Sequence, residues 1–233
     1  MTSLSRPFVA MAGNIGSGKT TVAKMISQTF GFELFDEPVI DNRFLRHYYE
    51  DMRRWSFTLQ MEFLIKRVEH HHLISSVDKP CIQDRTLLED PEIFAKYLHG
   101  LGHMTDQELD LYFDYYRRLS RDIRHPSHVI YLHAPDVEML LERIRSRGRD
   151  EEREMEAVFL EGLNGYYASF PQVCRNKYKI KVMVYQVSRE DIRSGEGRER
   201  FLAQVENFIF DKDAQERPAP PLRSAAPRGG SGQ

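Results

Sequence analysis

Residues 8–21, FVAMAGNIGSGKTT, carry the strongest structural signal in the sequence. The first five residues form a continuous apolar run, which is typical of a buried parallel strand. The spacing Gly13-x4-Gly18-Lys19-Thr20 then matches the Walker A motif. Apolar residues at helical spacing follow as far as Phe30, so the motif has the strand–loop–helix context that it requires. The alternative is a glycine-rich turn without a ligand, but motif and context together favour a bound nucleoside triphosphate.

The glycines of this loop let backbone N–H groups turn inward around phosphate oxygens. Lys19 is expected to reach the β- and γ-phosphates, and the Thr20 hydroxyl is expected to ligate Mg²⁺. A helix that begins near Lys19 adds the positive end of its dipole. The sequence therefore predicts ATP and Mg²⁺ at Gly13, Asn14, Ile15, Gly16, Ser17, Gly18, Lys19, Thr20 and Thr21. Nucleotide binding alone does not separate kinases from GTPases, motor ATPases or regulators.

Apolar strand candidates alternate with helical segments along the chain. The strands are predicted at 8–12, 32–36, 80–83, 129–132 and 181–185. Helices are predicted at 21–30, at 42–76 in two pieces that meet near Arg53, twice within 90–124, and at 135–146, 154–174 and 198–212. This alternation predicts an α/β fold with a mainly parallel, five-stranded sheet flanked by helices. We expect one domain over residues 1–212, followed by a disordered Pro/Gly-rich tail at 213–233.

Composition and net charge indicate which binding partners and which cellular compartment to expect. The 233 residues carry a net charge of −2, which gives no electrostatic argument for nucleic acid. Cys81 and Cys174 do not make a disulfide framework, so a reducing compartment is expected. Residues 1–7 do not have the pattern expected of a signal peptide, and no apolar run reaches the length expected of a membrane-spanning helix. We therefore expect a cytoplasmic protein that does not insert into a membrane.

Two charged segments follow predicted strands at the edge where open α/β sheets bind ligands. Glu37, in Glu37-Pro38-Val39, could accept a proton from an attacking hydroxyl. In Asp84-Arg85-Thr86, the aspartate could hold Mg²⁺ through water and the arginine could steady the transferring phosphate or Glu37. The alternative for Glu37 is a surface turn residue, and the alternative for Asp84-Arg85 is a structural salt bridge.

Gln60 and Arg67 lie two helical turns apart, beside an apolar stripe. An unpaired buried amide is costly, so a glutamine in this position suggests a partner such as a nucleobase edge. The alternative is an ordinary core helix.

Arginines cluster at the end of the predicted helix 135–146 and just beyond it. Arg143 and Arg147 share a helix face, and Arg149 follows Gly148, which is predicted to end the helix. These arginines could form a lid that closes over phosphates, or they could lie in a solvated charged loop.

Taken in order, these motifs resemble the deoxynucleoside kinase family, which includes deoxycytidine, deoxyguanosine and bacterial deoxyadenosine kinases. The resemblance runs from about residue 7 to 210 and rests on GNIGSGKTT (13–21), EPV (37–39), WSFTLQ (55–60), DRT (84–86) and RIRSRGRDEE (143–152). It implies a P-loop kinase fold with a short arginine-rich lid. It also implies transfer of the γ-phosphate of ATP to the 5′-hydroxyl of a deoxynucleoside, a reaction of nucleotide salvage.

The resemblance also implies residue roles. Glu37 resembles the general base, and Arg85 the arginine that orients it. Asp84 stands where many members have Glu, so the metal-shell geometry departs from their pattern. The implied acceptor-binding set is Glu37, Tyr49, Trp55, Gln60, Arg67, Arg85, Asp90, Phe94 and Glu152, of which Tyr49 and Glu152 hold the sugar 3′-hydroxyl and Gln60, Arg67 and Asp90 contact the base. The lid arginines are Arg143, Arg147 and Arg149, and Lys19 is the phosphate-loop lysine.

By the resemblance, Asp90 favours deoxyadenosine, deoxyguanosine or deoxycytidine over thymidine, because thymidine-accepting relatives tend to carry a small residue there. A purine deoxynucleoside is favoured, and deoxycytidine is a further candidate. Members of the family pair through helices, so a homodimer is expected from the resemblance. The alternatives are a nucleotide-switch regulator without a small acceptor, and a nucleoside monophosphate kinase using Arg43, Arg46, Arg53 and Arg54.

Overall fold

The computed structural model describes residues 6–36, 43–152, 154–189 and 192–210. Its sheet contains β1 (Phe8–Gly13), β2 (Glu33–Phe35), β3 (Cys81–Gln83), β4 (His128–His133) and β5 (Lys181–Gln186). These five strands lie in the order β2-β3-β1-β4-β5, and every pairing is parallel. The predicted five-stranded parallel sheet is therefore confirmed.

β1 is the central strand, and all six of its residues are buried. It pairs with β3 on one side, Phe8 opposite Cys81, and with β4 on the other, Val9 opposite His128. Burial on both faces explains why its sequence is continuously apolar rather than alternating. The chain lies on one side of β1 through β2 and β3 and then crosses to the other side. The loop after β1 therefore occupies the position where ligands bind in open α/β sheets.

The helices that flank the sheet are α1 (Lys19–Phe30), α2 (Leu45–Glu50), α3 (Met52–Ser76), α4 (Lys96–Gly100), α5 (Asp106–Leu119), α6 (Val137–Arg147), α7 (Ala157–Tyr167), α8 (Phe170–Asn176) and α9 (Gly195–Phe210). A π-helical turn spans Asp90–Ala95, and a 3₁₀ turn spans Asp150–Glu152. The main core contains residues from the sheet, α1, α6, α7, α8 and α9. A second core cluster joins α3 and α5 to α2 and α4.

Two helix boundaries differ from the predictions. The single helix predicted at 154–174 is wrong, because α7 ends at Tyr167 and α8 begins at Phe170. Pro171 lies in the first turn of α8, where its missing N–H is tolerated, whereas inside a continuous helix it would break a hydrogen bond. The predicted break near Arg53 lies at Asp51, whose side chain caps α3 by accepting from Arg54 N at 3.0 Å.

The predicted tail at 213–233 lies outside the described residues. Within the described ranges, no helix is both long enough and apolar enough to cross a membrane.

Candidate active site

The phosphate loop connects β1 to α1 and is built around glycines with positive φ. Gly13, Gly16 and Gly18 have φ values of 147°, 79° and 98°. A Cβ added to Gly13 would lie 2.8 Å from Leu132 O, and one added to Gly16 would lie 2.8 Å from Leu140 O. The loop is therefore packed against β4 and α6 too closely for a side chain at either position.

Lys19 begins α1 and folds its side chain back over this loop. Its Nζ donates hydrogen bonds to Gly13 O at 2.8 Å and to Asn14 O at 3.0 Å. The Asn14 side chain in turn donates to Leu160 O and to Asn164 Oδ1, both at 2.9 Å, which fixes the loop to α7. The ammonium group is thus held at the mouth of the phosphate cradle, where an anionic ligand would attract it.

Thr20 and Asp84 provide oxygen atoms suited to Mg²⁺. Thr20 Oγ1 donates to Asp84 Oδ2 at 2.5 Å, and Asp84 is only 1% exposed. Mg²⁺ prefers hard oxygen ligands and is commonly held by one or two side chains together with substrate phosphates and water. The two predicted metal residues are therefore adjacent and chemically suited to the ion. The described residues include no group of three His, Cys, Asp or Glu that could hold a metal by itself.

Arg85 follows Asp84 in a left-handed conformation with φ of 74°, which is unusual for a residue other than glycine. Its guanidinium lies 4.0 Å from the ring centroid of Phe94 and 3.7 Å from Asp90 Oδ1. Non-glycine residues keep such a conformation only where their surroundings enforce it. The fold therefore holds this cation at the carboxyl end of β3, beside the phosphate loop.

Arg67 and Asp90 form a buried ion pair, with 2.6 Å between Arg67 Nε and Asp90 Oδ2. Their side chains are 0% and 1% exposed. Gln60 is 3% exposed, and its Oε1 has no hydrogen-bond partner among the described residues. Because an unsatisfied buried amide oxygen is costly, this atom is suited to a ligand that carries a donor.

The three predicted lid arginines lie at the end of α6 and just beyond it, and Gly148 ends the helix with φ of 71°, as predicted. Arg143 donates to Ser17 O at 3.4 Å and to Ser188 O at 3.2 Å. Arg147 and Arg149 both donate to Glu152. The carboxylate predicted to hold the sugar is therefore joined to the lid.

A cavity of about 740 Å³ brings most of these residues together. The predicted residues that line it are Gly16, Ser17, Gly18, Lys19, Thr20, Thr21, Ile15, Tyr49, Gln60, Arg85, Phe94, Arg143, Arg147, Arg149 and Glu152. In the described part of the chain, neither Arg67 nor Asp90 lines it; the pair lies behind Arg85. Trp55 does not line it either, and stacks on Phe44 and His47 with centroid distances of 5.5 and 5.1 Å. Glu37, the predicted base, lies outside the described residues.

The four arginines that would serve a monophosphate acceptor do not line this cavity: Arg43, Arg46, Arg53 and Arg54. Arg43 forms an ion pair with Glu62 and Arg46 with Glu50. None of these four arginines is therefore placed in the cavity to bind a phosphate that the acceptor already carries.

Glu89 and Tyr167 are not among the residues predicted from the sequence, yet they lie directly behind the phosphate loop. The Glu89 carboxylate accepts from Gly13 N at 3.0 Å, from Thr86 N at 3.0 Å and from Tyr167 Oη at 2.6 Å. Burial raises its pKa, against the effect of the charges on Lys19 and Arg85. The only sequence signal is a pair of carboxylates, Glu89-Asp90, directly after the buried Leu87-Leu88.

Comparison with known proteins points to one family. The pattern of the deoxynucleoside kinase family matches residues 9–210. The deoxyguanosine kinase of Bacillus subtilis is 32% identical over 205 residues, which are 87% of this chain and 98% of that protein. The deoxyadenosine kinase of Dictyostelium discoideum is 34% identical over 170 residues, covering 73% of this chain and 69% of that protein.

Solved structures of deoxyadenosine kinase also align with most of this chain. The deoxyadenosine kinase of M. mycoides with bound dATP aligns with a TM-score of 0.74 and 30% identity, covering 86% of this chain and 99% of that chain. The same enzyme with bound dCTP aligns with a TM-score of 0.73. The chain belongs to the deoxynucleoside kinase family and is an ATP-dependent kinase of deoxynucleosides.

Proposed function

We propose that the acceptor is a purine deoxynucleoside, whose 5′-hydroxyl receives the γ-phosphate of ATP. The observation that carries this proposal is the arrangement of hydrogen-bonding groups beside the cavity: the Gln60 amide on the wall and the Arg67–Asp90 pair behind it. Glutamine and arginine side chains can pair with adenine and guanine edges through two hydrogen bonds. The relatives named as deoxyguanosine and deoxyadenosine kinases support the same class of acceptor.

The donor phosphates occupy the loop 13–21 in this proposal. Lys19 and the lid arginines neutralise charge on the β- and γ-phosphates, and Arg85 approaches from the acceptor side. Thr20 and Asp84 would hold Mg²⁺, which would neutralise further charge on the phosphates. Because the transition state of phosphoryl transfer is loose, positioning and charge neutralisation contribute more than proton removal.

Glu37 accepts the proton of the 5′-hydroxyl in this scheme. Its support is its place in the sequence, two residues after the end of β2 at Phe35. β2 runs parallel to β3, so the carboxyl end of β2 lies at the same sheet edge as Asp84 and Arg85. Tyr49 and Glu152 hold the 3′-hydroxyl, and Phe94 packs against the acceptor. Trp55 stacks on Phe44, the residue before Leu45, and Leu45 lines the cavity, so Trp55 acts on the acceptor site indirectly.

Acceptor choice is tested by measuring ADP production with ATP and Mg²⁺ across deoxyadenosine, deoxyguanosine, deoxycytidine and thymidine, with ribonucleosides and deoxynucleoside monophosphates as controls. The proposal predicts the highest kcat/KM on deoxyadenosine or deoxyguanosine and little turnover of the monophosphates. Activity on thymidine alone would overturn the inference that Asp90 disfavours thymidine as the acceptor.

We also propose a cytoplasmic homodimer. Its support is a set of exposed large apolar side chains on α3 and α5, namely Ile65, Leu73, Leu111 and Tyr115. Exposed apolar surface shared by neighbouring helices favours association. Light scattering after size exclusion tests this, since a mass near twice 27.4 kDa is expected for the dimer.

The proposed cytoplasmic location is supported by the buried free thiols of Cys81 and Cys174, which are compatible with a reducing compartment.

A further inference from the structure

Glu89 connects two loops that end neighbouring strands. Its Oε1 accepts from the N–H of Gly13, the first residue of the phosphate loop, and its Oε2 accepts from the N–H of Thr86, which follows Arg85. Both oxygens belong to one carboxylate, so both N–H groups must lie within hydrogen-bond reach of one small group. The carboxylate is 0% exposed.

We infer that Glu89 is a positioning residue that holds Arg85 at a fixed distance from the phosphate loop by bridging the Gly13 and Thr86 amides. The inference rests on the proposed role of Arg85 at the transferring phosphate. Glu89 itself does not line the cavity in the described part of the chain, so it acts through the loops that it joins.

The conformation of Arg85 explains why such a bridge is needed. With φ of 74°, Arg85 occupies a left-handed region that is strained for a residue other than glycine. The bond from Thr86 N to Glu89 fixes the peptide directly after it. Thr86 is held further by its own side chain, which accepts from Leu88 N at 3.2 Å. If the bridge is lost, Arg85 can relax towards an ordinary conformation, and its guanidinium moves away from the phosphate.

A carboxylate suits this position better than an amide. Three donors converge on Glu89: two backbone N–H groups and the Tyr167 hydroxyl. A carboxylate has acceptor sites on both oxygens, whereas a glutamine has one acceptor oxygen and an NH₂ group that cannot accept. The substitution Glu89→Gln therefore keeps the size of the side chain but leaves one of the two backbone N–H groups without an acceptor.

Tyr167 provides a matched control. Its hydroxyl contacts Glu89 Oε1 at 2.6 Å and Gly13 O at 2.9 Å, but it takes no part in the bridge between the two amides. Its ring stacks on Tyr131 with a centroid distance of 5.7 Å. Tyr167→Phe keeps this ring and both amide bonds to Glu89, and removes the hydroxyl with its contacts to Glu89 Oε1 and Gly13 O.

A double-mutant cycle with Arg85→Lys tests the inference, with kcat, both KM values and thermal stability measured for each variant. Glu89→Gln is expected to lower kcat about 10- to 100-fold, with either KM changing less than about 3-fold, because a small displacement of a catalytic group has effects of this size. In the Arg85→Lys background, Glu89→Gln should lower kcat by less than about 3-fold, since the group that it positions is already gone. Tyr167→Phe should lower kcat less than Glu89→Gln does.

The inference is overturned if Glu89→Gln lowers kcat by the same factor in both backgrounds, or leaves kcat unchanged. If Arg85→Lys alone retains full kcat, the proposed role of Arg85 fails and the inference fails with it. If Arg85→Lys loses activity while the two effects multiply, only the inference about Glu89 fails. Glu89→Asp gives the same cycle if the glutamine variant does not fold, because it keeps the charge but is too short to reach both amides.

Discussion

At the scale of single residues, glycine serves the phosphate loop in two different ways. An added Cβ at Gly16 would meet the backbone oxygen of Leu140 at 2.8 Å, whereas one at Gly18 would meet nothing within 4 Å. Both residues have positive φ, at 79° and 98°. Gly18 is thus required for its conformation alone, and Gly16 for its conformation and for close contact with α6.

Gly16→Ala should be more damaging than Gly18→Ala for this reason. Positive φ costs alanine about 1–2 kcal/mol at either site, and the clash at Gly16 adds about 1–3 kcal/mol. We expect Gly16→Ala to lower the melting temperature and to raise the KM for ATP more than Gly18→Ala does. Thermal denaturation and ATP titrations of the two variants measure the difference. Equal losses would contradict the packing of this loop against α6.

Glu37→Gln tests the proposed base. The substitution removes proton acceptance while keeping size, so it should lower kcat by about 10²- to 10⁴-fold, the range of general-base catalysis, with a smaller effect on the deoxynucleoside KM. Steady-state kinetics under saturating ATP give both constants. A variant that keeps full kcat would rule out Glu37 as the base.

Several single residues could be predicted from spacing, and others could not. Gly13, Lys19 and Thr20 follow from a motif whose chemistry is local to one loop. Asp84 and Arg85 follow from their place at the end of a strand. Glu89 could not be predicted in the same way, because its partners, Gly13 and Tyr167, are 76 and 78 residues away.

At the scale of elements, α6 carries two of the lid arginines, with Gly148 ending the helix between Arg147 and Arg149. Arg143 and Arg147 line the cavity, whereas Arg145, on the same helix, does not in the described part of the chain. The spacing along the helix therefore separates two arginines that line the cavity from one that does not.

Arg147→Ala and Arg145→Ala form a matched pair for the lid. We expect Arg147→Ala to lower kcat about 10- to 100-fold, because it removes positive charge from the transferring phosphate. Arg145→Ala removes an exposed charge from the same turn and should change kcat by less than about 2-fold, as surface substitutions usually do. Single-turnover phosphoryl transfer distinguishes them, and equal rates for the two variants would argue against a lid role for Arg147.

Some helix boundaries can be predicted from the local sequence, and others depend on contacts between distant residues. The helix over 135–146 was predictable because Asp136 and Gly148 mark both of its ends. The break between α7 and α8 does not show in the periodicity, because the apolar spacing continues across it. The π-helical turn at Asp90–Ala95 was not predictable either, since its first residue is fixed by the distant Arg67.

At the scale of the whole molecule, stability should depend on pH through buried histidines. Burial lowers the pKa of His71 to about 4, below its ordinary value of 6.5. Between these two pH values the unfolded chain binds more protons than the folded chain, so the free energy of unfolding falls as pH falls. The loss from this group is on the order of 3 kcal/mol once pH has reached about 4. His128, with its pKa lowered to about 4 by burial, acts in the same direction.

His71→Asn should reduce this dependence. Asparagine can still donate a hydrogen bond to Arg124 O, which His71 Nδ1 contacts at 3.1 Å, but it does not titrate. Denaturant unfolding from pH 7 to 4 should therefore show a smaller loss of unfolding free energy in the variant. The difference in slope against pH should correspond to about one proton fewer taken up on unfolding. Glu89, whose pKa is raised, acts with the opposite sign, but it is present in both proteins and cancels in the difference. Parallel curves for the two proteins would contradict the burial of a neutral His71.

The strand order β2-β3-β1-β4-β5 places the donor loop and the acceptor-side residues at one edge of the sheet. We propose that phosphate passes at this edge from ATP to the 5′-hydroxyl of a purine deoxynucleoside. The most direct test offers an equimolar mixture of the four deoxynucleosides to the enzyme with ATP and Mg²⁺ and identifies the first products by chromatography and mass spectrometry. We predict 5′-monophosphates of deoxyadenosine or deoxyguanosine as the main products. Thymidine monophosphate as the main product would rule out the proposed purine acceptor, and phosphate at the 3′ position would rule out transfer to the 5′-hydroxyl.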